Sequence, residues 1–97
     1  MFGLFKNLGQ SFQREVFINS LSAARQNVEQ ARNANDYQNC SRFVKSAREH
    51  LENAQKAWPK CEDTMLPIDQ LPFDFELSDL KREIFFLEGI QPDTFEN

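Results

Sequence analysis

Residues 17–58 read FINSLSAARQNVEQARNANDYQNCSRFVKSAREHLENAQKAW. Phe17, Leu21, Ala24, Val28 and Ala31 recur at a 4-3-4-3 spacing, which places them on one face of a helix. Tyr37, Cys40, Val44, Ala47, Leu51, Ala54 and Trp58 recur at 3-4-3-4 on a second helix. Between them, Asn33-Ala34-Asn35-Asp36 supplies turn residues, and the Asp36 carboxylate is suited to cap the helix that follows. Facing residues of an antiparallel hairpin have numbers with a constant sum. Ala31 with Cys40, Ala24 with Ala47 and Phe17 with Ala54 add to 71. Val28 with Val44, Leu21 with Leu51 and Arg14 with Trp58 add to 72. Apolar layers therefore meet apolar layers, and small ones let the axes approach to the short end of about 8–10 Å. The sequence predicts an antiparallel helical hairpin over about 17–34 and 37–58, with Pro59 as its stop.

Upstream, Phe2, Leu4, Phe5, Leu8, Phe12 and Val16 gather in one helical arc, opposite Lys6, Asn7, Gln10, Gln13 and Arg14. That arc lies about 140° from the hairpin stripe at 100° per residue. Either the chain bends near Gly9–Phe12 or one long helix serves different neighbours at its two ends. Downstream, Pro59, Pro67 and Pro72 argue against a long helix before residue 73. Phe73-Asp74-Phe75-Glu76-Leu77 alternates apolar with acidic residues and reads as extended. Ser78 is expected to cap a short helix over about 79–88 that buries Leu80, Ile84 and Leu87 and ends at Gly89. Phe85 and Phe86 cannot share a direction, so one is assigned to an edge or interface. Residues 91–97 read as a frayed tail.

The fold expected is all-α, a single small helical domain over 1–97. Its 97 residues are 40% apolar and 27% charged, as in ordinary globular domains. Residues 1–60 carry nine basic and five acidic side chains, and residues 61–97 carry two and ten. A basic helical body of +4 thus precedes an acidic segment of −8. The acids either fold back over the body or face a basic partner.

Residues 17–58 are similar in geometry to a single tetratricopeptide-type hairpin, with Asp36-Tyr37 at the turn and small Cys40 and Ala47 on the second helix. The Trp-Leu-Gly-Tyr pattern of that family's first helix is absent, because Arg25, Val28, Glu29 and Arg32 stand there. The likeness is one of shared hairpin geometry rather than membership.

Catalytic chemistry has little to work with. His50 is the only histidine, and no cysteine lies three or four residues from it, so no metal site is expected. No nucleophile has a base placed beside it, and no glycine-rich phosphate loop occurs. No cofactor is expected. Cys40 and Cys61 lie about 30 Å apart along a straight helix, beyond disulfide reach, which suits a reducing, cytoplasmic setting. No apolar run approaches a membrane span, and no secretory leader is expected. Arg25, Arg32, Arg42, Lys45 and Arg48 are interleaved with Glu29, Glu49 and Glu52, which weighs against nucleic-acid binding.

A non-enzymatic protein-binding regulator, inhibitor or adaptor is the function expected. Its acidic and aromatic contact set is Phe73, Asp74, Phe75, Glu76, Asp79, Glu83, Phe85 and Phe86, facing another protein with a basic surface. Surplus apolar surface at Phe2, Leu4, Phe5, Leu8, Phe12, Phe43 and His50 points to a homo-oligomer. Two alternatives remain open. One is a peripheral membrane adaptor using the N-terminal arc. The other is a small-ligand binder in an oligomer crevice lined by Arg25, Arg32 or Arg48.

Overall fold

The structure is a computed structural model that describes the backbone of residues 2–95 and the side chains of residues 12–95. Three α-helices and two short 3-10 turns account for it: α1 (Phe2–Arg32), α2 (Tyr37–Cys61), a turn at Glu62–Thr64, α3 (Pro67–Glu88) and a turn at Pro92–Phe95.

α1 and α2 pack on each other as a helical hairpin, and both expected stripes supply its core. Phe17, Leu21, Ala24, Val28 and Ala31 are buried, as are Cys40, Val44, Ala47, Leu51, Ala54 and Trp58. Asp36 opens α2 from an extended conformation, and its carboxylate accepts hydrogen bonds from the Asn39 backbone N and from Asn39 Nδ2, both at 2.8 Å. These satisfy a donor that a helix start would otherwise leave orphaned.

Of the two arrangements open for the N-terminal half, α1 adopts the unbroken one. Two glycines six positions apart each cost a helix up to about 1 kcal/mol, which does not outweigh propagation of a 31-residue helix. α2 also runs past its expected stop. Pro59 sits in the last turn, where it removes a single N–H, and the helix closes at Cys61 with the Glu62 N–H bonding the Trp58 carbonyl. Trp58 and Cys61 are buried on either side of Pro59, which holds that last turn against the core.

The C-terminal helix stands where it is expected but begins at Pro67, not near residue 79. The reading of 73–77 as extended and of Ser78 as a cap is overturned: both lie inside α3. Pro67 occupies the first helical position, where its missing N–H is no loss. Pro72 leaves unserved only the carbonyl of Ile68, a residue on the solvent side.

α3 lies across both hairpin helices. Asp74 meets Trp58 near its start and Glu88 meets Arg48 near its end, so it runs antiparallel to α2 and parallel to α1. Leu80, Ile84 and Leu87 are its buried residues, as the wheel requires. Phe73 joins Phe17 and Trp58 in an aromatic trio, with Phe17 centroids 4.7 Å from Trp58 and 5.2 Å from Phe73. The tail is not wholly frayed: Pro92–Phe95 forms a 3-10 turn that seats Phe95 edge-on to Tyr37 at 6.4 Å.

Cys40 and Cys61 are both free and buried, and burial pushes both thiols above their ordinary value of 9.0. The folded chain therefore keeps thiol protons that the unfolded chain releases. Stability should decline as pH rises past that value, and thiol reagents should label the native chain slowly and the denatured chain at once. Fast labelling of both thiols at neutral pH in native buffer would contradict this packing.

Candidate functional site

α3 has two apolar faces. At 100° per residue, Phe73, Leu77, Leu80, Ile84 and Leu87 fall within about 80° of arc. All five pack into or against the core. Ile68, Leu71, Phe75, Phe85 and Phe86 fall within about 100° on the opposite side. Their exposures are 74, 53, 71, 74 and 72%. Leu66, just before the helix, is 67% exposed. Five large apolar side chains thus stand in water along one helix face while its back is fixed to the hairpin. Phe85 is flanked by two shallow hollows, one walled by Arg48, Ser78 and Lys81, the other by Gly89, Ile90 and Thr94.

The expected contact set divides on this helix. Phe75, Phe85 and Phe86 are on the open face. Both members of the Phe85–Phe86 pair are exposed, where the sequence assigns one to an edge or interface. Residues i and i+1 are 100° apart, and these two straddle the outer arc while Ile84 and Leu87 take the inner one. Phe73 is placed in the core instead. Ile68 and Leu71 were missed, although 68, 71 and 75 keep an i, i+3, i+7 spacing; the prolines at 67 and 72 masked it.

The acids are largely turned inward. Glu83 accepts from Arg25 Nη1 at 2.9 Å and from Arg32 Nη2 at 2.6 Å. Glu76 and Asp79 lie 3.8 and 4.0 Å from the same Arg25 guanidinium. Asp74 Oδ1 accepts from Trp58 Nε1 at 3.1 Å, and Glu88 Oε2 accepts from Arg48 Nε at 3.1 Å. The Glu88 hydrogen bond holds Arg48 charged even more firmly than usual. The acidic segment has folded back over the basic body. The same contacts occupy Arg25, Arg32 and Arg48, the side chains considered for a small ligand.

Replacing Glu83 with Gln should lower stability by about 1 kcal/mol in urea titrations at low salt, since two partly exposed ion pairs are lost. The difference should narrow toward 1 M salt, where screening acts within about 3 Å. An effect indifferent to salt would mean that Glu83 acts through packing.

Phe43 and His50 are half-buried on the flank of α2, with the Arg42 guanidinium 5.2 Å from the Phe43 ring centre. Phe12 is 62% exposed on α1. The side chains of Phe2, Leu4, Phe5 and Leu8 lie outside the described residues. Among the described residues, no three or more His, Cys, Asp or Glu side chains are grouped to hold a metal ion, and no helix is long and apolar enough to cross a membrane. Compared with protein-family models, with curated proteins and with solved structures, the chain matches none.

Proposed function

We propose that the chain is a non-enzymatic protein-binding regulator or adaptor whose contact surface is the outer face of α3. The observation that carries this is the exposed stripe of Ile68, Leu71, Phe75, Phe85 and Phe86 on a helix already anchored by its other side. Isolated exposed apolar residues are ordinary, but five on one face of a rigid element, three toward its start and two toward its end, are how binding surfaces are built. Aromatic anchors supply most interface energy, and three of the five are phenylalanines. The acids contribute differently from the sequence expectation: Glu76, Asp79 and Glu83 orient α3 on the hairpin and so aim the stripe outward.

Capture from an extract of the source cells tests the reading. The native chain and a Phe75→Asp, Phe86→Asp double variant are compared as baits. Both substituted positions are exposed, so the melting profile should change little. Proteins retained by the native chain should bind the variant at least about 100-fold more weakly, the scale of two lost anchors. Equal retention by both baits would remove the outer face from consideration.

A further inference from the structure

The outer stripe also has an internal symmetry. Ile68, Leu71, Phe75, Ser78, Arg82 and Phe85 keep a 3-4-3-4-3 spacing, the a and d positions of a heptad seam. In an antiparallel pair of identical helices each a position faces a d position, so facing numbers must add to a constant. Ile68 with Phe85, Leu71 with Arg82 and Phe75 with Ser78 all add to 153. Half that sum falls within one residue of the middle of α3, so two copies would overlap over almost the whole helix.

The flanking charges agree with the same register. Asp74 and Lys81 are both g positions, and g faces g in an antiparallel pair. Their numbers add to 155, which sets Asp74 of one copy beside Lys81 of the other, twice across the two-fold axis. In that register Arg82 would lay its aliphatic stem over the seam, within reach of the Asp74 oxygen that Trp58 leaves free. A parallel pair would instead place Arg82 on Arg82 in the seam. Surface area suffices as well. Five side chains more than half exposed offer about 100 Å² each, hence about 1,000 Å² for two copies, the threshold of a specific interface.

We infer that the occupant of the α3 outer face is a second copy of this chain, paired antiparallel about a two-fold axis near residues 76–77. This rests on the outer face being a contact surface, and it names the first partner that surface meets. A protein partner would then bind in competition with self-pairing.

Light scattering of the native chain near 10 µM should give twice the 11.4 kDa chain mass, and Phe75→Asp should return it to a single chain. Lys81→Glu should weaken pairing about tenfold at low salt, with the loss shrinking as salt rises. Orientation is read by cysteine cross-linking under mild oxidation. Leu71→Cys and Arg82→Cys should not cross-link alone, because copies of the same position are separated by about 16 Å along the axis. Mixed together they should cross-link to each other; the native thiols are buried and do not compete. A monomer up to about 100 µM would overturn self-pairing while leaving the capture experiment above to decide the surface itself. A dimer that survives Phe75→Asp, or single variants that cross-link with themselves, would equally overturn it.

Discussion

Phe17→Ala is expected to cost about 3–5 kcal/mol of unfolding free energy, a third or more of what a domain of this size commonly has. Phe17 is fully buried at the point where all three helices meet. Its ring lies 4.7 Å from Trp58 of α2 and edge-on to Phe73 of α3 at 5.2 Å. Truncation removes both aromatic contacts and leaves a cavity that three separate elements would have to collapse to fill. Phe73→Ala should cost less, because Phe73 is only half-buried and water can follow it out. Trp58 is the only tryptophan, so its fluorescence during denaturant titration reports the region directly. A Phe17→Ala chain within about 1 kcal/mol of native would show that the trio does not join α3 to the hairpin.

At that junction hydrophobic periodicity ceases to be informative. The hairpin was legible because, over 17–34 and 37–58, each helix buries one narrow stripe and is mostly polar elsewhere. Leu21 against Leu51 and Val28 against Val44 satisfy one register and no other. α3 breaks the condition that makes a wheel informative. With Phe73, Leu77 and Ile84 inward and Ile68, Phe75 and Phe86 outward, the two faces cancel, and no single period stands out. Prolines 67 and 72 argue against a helix and the alternation over Phe73–Leu77 imitates a strand, although one proline begins the helix and the other spares it all but a solvent-side bond. The outer stripe exists only because α3 runs unbroken from Pro67 to Glu88. The charge split did announce that the acidic segment folds over the basic body. Its pairings, Glu83 with Arg25 and Arg32 and Glu88 with Arg48, depend on where α3 crosses the hairpin, which periodicity does not encode. The exposure of both Phe85 and Phe86 was hidden by the same limit, since a helix whose inner and outer faces are both apolar has room for two outward aromatics.

The two faces of α3 can be separated by neighbouring substitutions. Ile84→Ala should cost about 2–5 kcal/mol, because Ile84 is fully buried between α3 and the hairpin and its loss opens a cavity there. Phe85→Ala, one residue on, should change stability by no more than about 0.5 kcal/mol, since 74% of Phe85 is already in water. Binding should respond in the opposite order. Phe85→Ala removes an anchor from the outer stripe, so partner or self-association should weaken with the fold intact. Ile84→Ala should reduce association only to the extent that it unfolds the chain. Denaturant titration and light scattering on the same two variants measure both quantities. A rotation of α3 by one residue, about 100°, would exchange the two stability costs. It would bury Phe85 and swing Ile84 into solvent, and the seam of Ile68, Leu71, Phe75 and Phe85 would no longer share a free face. Equal or reversed costs would therefore refute both the orientation of α3 and the binding surface derived from it.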